Sequence, residues 1–188
     1  MPYLQNAGAF LITSLFGFFI CVFLLRMMLI AVSAPFNQPI CRFIYQLTNP
    51  AINPLRPIIP RWRRIEFASV LIAWLLGVVE LGLLVAMFGL PISAIGVLVH
   101  ALVDTLDWAI LIQLVAIIVF CVLGFFPAVR TDPNYHLVVR FTAPVVRPFR
   151  RLIPPLGGFD FSCWAACIAL ILLRLLVVAP LTDLSTRL

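Results

Sequence analysis

Two opposite charges inside long apolar stretches are the residues of this chain most suited to chemistry. Glu80 and Arg174 lie 94 residues apart, each within a run of apolar side chains. A charge in such surroundings is costly unless it is paired, hydrated or neutralised by a proton. We therefore expect Glu80 and Arg174 to form an ion pair, which either locks two helices together or lines a path for ions or protons.

A second kind of chemistry is suggested by arginines that lie among prolines. Arg binds phosphate and carboxylate groups through two parallel hydrogen bonds, whereas Lys, which this chain lacks, acts as a point charge. Beside a membrane, such arginines either set the orientation and touch anionic lipid headgroups, or bind a specific anionic lipid or protein partner. Nucleic acid fits less well, because headgroups are the nearest anions. The candidate lipid- or partner-binding residues are Arg56, Arg61, Arg63, Arg64, Arg147, Arg150 and Arg151.

The sequence lacks the usual motifs of catalytic and cofactor sites. It contains no phosphate-binding glycine loop, nucleophile elbow or paired-carboxylate site. The five cysteines form no C-x-x-C and fall mostly in apolar runs, where a thiol behaves as a small apolar side chain. His100, Asp104 and Asp107 share one helical face, which we interpret as a solvated surface. We therefore expect no enzymatic activity, no disulfide framework and no metal, haem or other cofactor.

Composition identifies the environment of these residues. Apolar residues make up 64% of the chain and charged residues 11%, with a mean hydropathy of +1.16. Soluble domains are roughly 45–50% apolar and 25% charged. Four apolar runs, residues 7–32, 67–90, 108–129 and 161–179, each have the ~20 residues needed to cross a bilayer. The sequence therefore predicts an integral membrane protein with four spanning helices, and the first run lacks the features of a cleavable signal peptide.

An internal repeat arranges the four helices as two modules. Residues 39–67 recur without a gap as residues 133–161, and the matched positions include Thr48 with Thr142, and Arg56 with Arg150. Such a match at a fixed spacing indicates duplication of one structural unit. We predict a first repeat over residues 1–90, a connector over 91–107 with an interfacial or dipping helix at 92–103, and a second repeat over 108–188.

The distribution of arginines predicts the orientation. The segments between the two helices of each module are rich in arginine, and the connector between the modules has none. The positive-inside rule places the arginine-rich segments in the cytoplasm, which makes the repeats parallel and related by a pseudo-twofold axis along the membrane normal. Glu80 and Arg174 then lie at the same depth as an intramembrane ion pair. Arg26, near the cytoplasmic end of its helix, is expected to extend to the headgroups.

Each proline-rich segment begins with a short stretch of mixed apolar and basic side chains. Residues 36–45 and 135–142 are both too short to span the membrane, and residues 135–142 are predicted to form a turn or two of helix in the interface. The prolines that follow each remove a hydrogen-bond donor and favour extended geometry in the preceding residue. We therefore expect each segment to continue as a rigid, extended cytoplasmic strap.

The second copy of the motif resembles a known family. Residues 133–162, PNYHLVVRFTAPVVRPFRRLIPPLGGFDFS, are similar to the signature of the YggT family of bacterial and plastid membrane proteins, related to YlmG. The pattern T-x-P-x-x-x-P-x-R-x-x-x-P occurs in both copies, while the first copy has Pro57 in place of Arg151. The resemblance implies a small protein of the bacterial inner membrane linked to osmotic or extracytoplasmic stress tolerance, with proposed roles in potassium uptake or assembly of membrane complexes. It implies no catalytic residues.

Two classes of function follow from these observations. The first is a noncatalytic scaffold or assembly factor, which binds anionic lipid headgroups and a membrane-protein partner or a second copy of itself through the arginine-rich segments. The second is a channel or transport component that affects ion homeostasis, such as that of potassium. Four helices leave little room for a pore, so conduction would require an oligomer.

Overall fold

The computed structural model describes residues 2–35, 38–55, 66–126, 128, 131–152 and 161–187. Within these residues the chain is helical and contains no strand. Residues 161–187 form one continuous helical rod that includes a π-helical turn, and this rod is named the final helix. The helices are α1 (Pro2–Ala31), α2 (Pro39–Ile52), α3 (Phe67–Phe88), α4 (Ala94–Gly124), α5 (Pro133–Leu152), α6 (Phe161–Leu173), the π-helical turn (Arg174–Val178) and α7 (Ala179–Arg187).

Four helices are long and apolar enough to cross a membrane. They are Tyr3–Ala31, Phe67–Phe88, Ala94–Gly124 and Phe161–Thr186. At 1.5 Å per residue, helices of this size are roughly 33–46 Å long, which exceeds the ~30 Å of a hydrocarbon core. The all-α class and the four candidate spans are therefore confirmed. The starts of α2 and α5, and of α3 and α6, differ by the 94 residues of the sequence repeat.

The predicted connector belongs to a spanning helix. Ser93 caps α4 by accepting a hydrogen bond of 3.0 Å from the Gly96 amide, and α4 then continues to Gly124 without a break at Trp108. This corrects the separate helix expected at 92–103. No proline interrupts the helix between Ala94 and Gly124, so the polar residues at its start were not a sufficient signal for a boundary.

The straps begin as helices, not as extended chain. α2 contains Pro50, and α5 runs for 20 residues with Pro144 and Pro148 inside it. All three prolines lie on exposed sides of their helices, while the opposite faces pack against the spanning helices. The free energy gained by burying those apolar faces exceeds the cost of the hydrogen bonds that the prolines cannot make. The extended geometry expected from the prolines is therefore wrong for residues 50–52 and 144–152. The later parts of the two straps, residues 56–65 and 153–160, lie outside the described residues.

The amphipathic helices lie alongside the long helices. α2 packs against the part of α1 that includes Phe23 and Leu29, and α5 packs against Ile117 and Phe120 of α4. The side-chain amide of Gln38, just before α2, donates a 2.9 Å hydrogen bond to the carbonyl of Pro133, which brings the starts of α2 and α5 together. The two arginine-bearing helices therefore occupy one end of the bundle.

α3 joins the two repeats. It packs along α1 of its own repeat and along α4 of the next. Gly77 of α3 lies against Ala101 of α4, where a Cβ atom built on the glycine would make an ordinary van der Waals contact of 3.5 Å with the Ala101 Cβ, and Trp74 Nε1 donates to the carbonyl of Leu98 at 3.1 Å. The final helix packs on α4 as well. α4 therefore packs against both α3 and the final helix.

Candidate functional site

A buried arginine organises the first repeat. Arg26 is 0% exposed, and its Nε donates to Glu66 Oε2 at 2.7 Å. Its Nη1 donates to Thr48 Oγ1 at 2.7 Å and to Asn49 Oδ1 at 2.8 Å. These contacts bind α1 to α2 and to the start of α3. The prediction that Arg26 extends to the headgroups is therefore wrong, since its partners come from the motif segment that folds back beside it.

Further contacts complete this inner cluster, which consists of Arg26, Tyr45, Thr48, Asn49, Glu66 and Ser69. Ser69 Oγ donates to Glu66 Oε2 at 2.8 Å. The Tyr45 ring lies below the guanidinium, 4.9 Å from Cζ to the centroid, a cation–π distance. A buried ion pair is tolerated when further hydrogen bonds satisfy both groups, and the inner cluster meets that condition.

The second repeat has a different arrangement at the same place. Phe120 is the residue 94 positions after Arg26, and the guanidinium above it comes from Arg150 of α5, with Cζ 5.2 Å from the ring centroid. Thr142, the match of Thr48, donates to the carbonyl of Val138 at 2.9 Å, as Thr48 does to that of Ile44 at 2.6 Å, so the difference lies in the arginine and not in the threonine. The predicted binding residue Arg150 therefore has a packing contact within the fold. The match of Glu66, Asp160, lies outside the described residues.

Arg174 has a different partner from the one expected. Its Nε donates to Asp107 Oδ1 at 2.6 Å and its Nη2 to Asp107 Oδ2 at 2.7 Å, a bidentate pair between the final helix and α4. Glu80 lies on α3, within electrostatic range of Asp104. Because α4 packs between α3 and the final helix, positions that match in the repeat do not face each other across the molecule. The expected Glu80–Arg174 pair is corrected accordingly.

Polar side chains of α4 contact the final helix near Ser185. His100 Nδ1 lies 2.8 Å from Ser185 Oγ, and His100 Nε2 lies 3.4 Å from Asp104 Oδ2. The Asp104 side chain is 48% exposed, but that of Asp107 is only 25% exposed, so the face is partly a helix interface. With Glu80 and Arg174, these residues form an outer cluster: Glu80, His100, Asp104, Asp107, Arg174 and Ser185.

The exposed faces of the amphipathic helices differ between repeats. On α5, Arg140, Arg147 and Arg151 are exposed, and their spacing of seven and four residues places them on one side of the helix. On α2, Arg42 is exposed together with Ile40 and Phe43, which are 51% and 62% exposed. The described part of the chain thus presents an arginine-rich face on α5 beside a more apolar one on α2. The other predicted binding residues, Arg56, Arg61, Arg63 and Arg64, lie outside it.

The cysteines take part in packing. Cys41 of α2 and Cys163 of α6 are buried, at 0% and 1% exposure, and each belongs to an apolar cluster. Burial raises the pKa of the Cys41 thiol, which disfavours the reactive thiolate. Cys41 therefore acts as a small apolar side chain.

Comparison with known proteins gives consistent matches over both halves of the chain. A family model described as CCB3/YggT matches residues 5–87 and again residues 99–181, which confirms the internal repeat. An uncharacterized protein of Pseudomonas aeruginosa is 30% identical over 97% of this chain and 93% of its own length. One encoded in the proC 3′ region of Vibrio alginolyticus is 34% identical over 84% and 86%, and the uncharacterized protein YggT of Escherichia coli is 29% identical over 84% and 82%. No solved structure matches the chain significantly.

Proposed function

Since this chain belongs to the CCB3/YggT family, we propose that it is a noncatalytic scaffold or assembly factor of the bacterial inner membrane. In this role it holds partner membrane proteins at its arginine-bearing end, which faces the cytoplasm. The family resemblance connects such a role to osmotic or extracytoplasmic stress tolerance.

The proposal rests on one observation, namely that α5 packs against the bundle on one face and exposes arginines on the other. One face of this helix is packed against the bundle through Leu137, Phe141 and Val146. The opposite face presents Arg147 and Arg151, four residues apart. The packed helix fixes the backbone positions of these two arginines relative to each other, and a guanidinium group binds a carboxylate through two hydrogen bonds, which suits docking of an acidic partner segment.

The adjacent face of α2 adds an apolar component. Ile40, Phe43 and Leu47 are spaced like one side of a helix and remain 51%, 62% and 38% exposed. The hydrogen bond between Gln38 and Pro133 keeps this face near α5. An apolar ridge beside a basic row is a combination that favours protein–protein docking over catalysis.

The test is the partner content of the purified protein. The wild type, the Arg147→Ala/Arg151→Ala variant and the Arg147→Lys/Arg151→Lys variant are purified gently from their own membranes and analysed by mass spectrometry. We expect a stoichiometric membrane-protein partner with the wild type, loss of at least ten-fold with the Ala variant, and partial retention with the Lys variant, which keeps charge but loses bidentate bonding. Equal recovery with the Ala variant, at unchanged thermal stability, would contradict docking through α5.

A channel or transport component, active as an oligomer, is the second candidate. It is favoured by the outer cluster, in which three carboxylates, those of Glu80, Asp104 and Asp107, accompany one arginine within apolar helices. Such residues in a span often mark an ion or proton path. Potassium flux into liposomes, measured for the wild type and for correctly folded Glu80→Ala, tests it. Loss of flux with Glu80→Ala supports transport, and a wild-type flux equal to that of empty liposomes excludes it.

A further inference from the structure

A buried serine of α7 determines which ring nitrogen of His100 carries a hydrogen. Ser185 is 0% exposed, and its Oγ donates to the carbonyl of Thr182 at 2.7 Å. A serine hydroxyl has one hydrogen to donate, and a backbone carbonyl only accepts. The 2.8 Å contact between His100 Nδ1 and Ser185 Oγ therefore requires Nδ1 to be the donor. His100 thus carries a hydrogen on Nδ1 when α7 is packed in this position.

The other ring nitrogen of His100 faces a carboxylate. Nε2 lies 3.4 Å from Asp104 Oδ2, one helical turn further along α4. In a neutral ring with its hydrogen on Nδ1, Nε2 has a lone pair, which repels a negative oxygen. A second hydrogen on Nε2 turns the contact with Asp104 into an ion pair and leaves the bond to Ser185 unchanged. Both contacts of His100 are therefore favourable only when the His100–Asp104 pair holds one additional proton.

The charges around this pair favour the bound proton. Glu80 of α3 lies within electrostatic range of the pair's carboxylate. Asp107 of α4 is neutralised by its bidentate contact with Arg174, and Asp183 of α7 is exposed and lines a cavity with Arg174. Among the described residues, the charges that face the pair from α3, α4 and the final helix are thus negative in sum. Such surroundings stabilise an imidazolium ion.

The pair lies at the end of the bundle opposite to α2 and α5. His100 is six residues, about 9 Å, from the start of α4 at Ala94, whereas α5 packs against α4 near Ile117 and Phe120. A centred helix of 31 residues, which is about 46 Å long, extends about 8 Å beyond each face of a ~30 Å hydrocarbon core. The Asp104 side chain is 48% exposed. Protons therefore reach the pair from the water on this side, which is the outer side in the proposed orientation.

We propose that the His100–Asp104 pair is a proton-binding site that fixes α7 to α4. A proton from the outer side binds His100 Nε2, and the imidazolium then donates to Asp104 and, through Nδ1, to Ser185. When the proton is lost, the ring has one hydrogen for two contacts. Packed α7 therefore binds the proton more tightly than detached α7, so its attachment to α4 weakens as the pH rises. The site goes beyond the scaffold role, because it requires neither a protein partner nor ion flux.

Nitrogen-15 NMR of the histidine side chains tests the proton site directly. The chain has two histidines, and His136→Asn is the matched control that assigns their signals, because His136 is exposed on α5. In nanodiscs, we expect the His100 ring to carry both hydrogens at about pH 5 and one at about pH 9, a range that covers the titration of imidazole. A neutral ring with its hydrogen on Nε2 at about pH 5 would overturn the proposal, as would a ring state that is the same at both pH values.

A distance measurement tests the effect on α7. Nitroxide labels are attached to Val122→Cys of α4 and Leu184→Cys of α7, at positions that are 50% and 53% exposed, in a background without the native cysteines. We expect pulsed EPR to give one narrow distance distribution at about pH 5 and a distribution at least two-fold wider at about pH 9. His136→Asn should behave in the same way as the wild type.

Asp104→Asn separates the bound proton from other effects of pH. The amide of the introduced asparagine donates to Nε2 of a neutral ring, so both contacts of His100 form without an additional proton. We expect this variant to keep the narrow distribution at both pH values. Equal widths at both pH values in the wild type, or the wild-type broadening in Asp104→Asn, would overturn the proposal. Neither measurement involves a protein partner or an ion gradient, so the proton site and the scaffold function can fail separately.

Discussion

At the scale of single residues, a guanidinium that is removed from water requires a counter-charge and hydrogen-bond acceptors. Arg26 has both, since Glu66 supplies the charge and Thr48 and Asn49 supply further acceptors. Replacing one member of a buried pair leaves the other charge without compensation, which typically costs about 3–5 kcal/mol.

We therefore predict that Arg26→Ala lowers the free energy of unfolding by about 3–5 kcal/mol, and that Glu66→Ala has a similar effect. The double variant should lose less than the sum of the two, because no uncompensated charge remains. Denaturant unfolding in detergent micelles, followed by tryptophan fluorescence, measures all three. Additive losses would mean that the two residues do not interact in the folded protein.

The charged residues also show which features the sequence alone could not predict. Their burial within apolar helices was evident from the sequence, but their partners were not. Arg174 pairs with Asp107 because α4 lies between α3 and the final helix, and a one-dimensional repeat contains no information on such lateral order. The partners of Arg26 did leave a signal in the sequence, because Thr48 and Glu66 have polar matches in the second copy of the motif. The sequence analysis assigns both residues to an exposed cytoplasmic segment, so this signal does not identify them as partners of a buried charge.

At the scale of elements, α5 tolerates two prolines because they lie on its exposed side. Pro144 and Pro148 each remove an amide donor, while Leu137, Phe141 and Val146 hold the other side in place. A proline inside a helix costs about 3 kcal/mol relative to alanine, and about 1 kcal/mol of this is recovered through the stiffer unfolded chain.

We predict that Pro144→Ala raises the free energy of unfolding by about 2 kcal/mol. Pro133→Ala is the matched control, because the first position of a helix needs no amide donor and favours proline; it should change stability little. The same micelle unfolding assay compares them. A loss of stability with Pro144→Ala would favour the extended geometry that the sequence suggested.

The elements differ in how far the sequence predicts them. Spanning helices are set by hydropathy and length, so all four were found, although the start of α4 was missed because polar residues such as His100 and Asp104 occur within it. Of the two amphipathic helices, only the first turns of α5 were predicted as helix, and α2 was not predicted. Both helices are stabilised by packing against α1 and α4. Helix propensity depends on the local sequence alone, so it contains no information on contacts with residues that are distant in the chain.

At the scale of the whole molecule, parallel repeats require both amphipathic helices to lie on the same side of the membrane. Leu152, at the end of α5, is 77% exposed, and Leu90, in the turn between α3 and α4, is 42% exposed. The positive-inside rule assigns these positions to the cytoplasmic and outer sides, respectively.

We predict that an impermeant maleimide labels Leu152→Cys only in inside-out vesicles and Leu90→Cys only in right-side-out vesicles, in a background without the native cysteines. The native Cys41 adds no signal even if retained, because it is 0% exposed. Labelling of both positions from one side would contradict the parallel arrangement, and the reverse pattern would invert the orientation.

The contact between α3 and α4 has a consequence for the history of the chain. Gly77 and Trp74 of the first repeat meet Ala101 and Leu98 of the second, so part of the surface of each repeat is buried against the other. A protein with one module would have to form this interface between two separate copies. Fusion of the modules makes the same encounter intramolecular and raises the effective concentration of the partners to the millimolar range. Once the two surfaces lay in one chain, each half could change independently, and the halves now differ at matched positions such as Arg26 and Phe120.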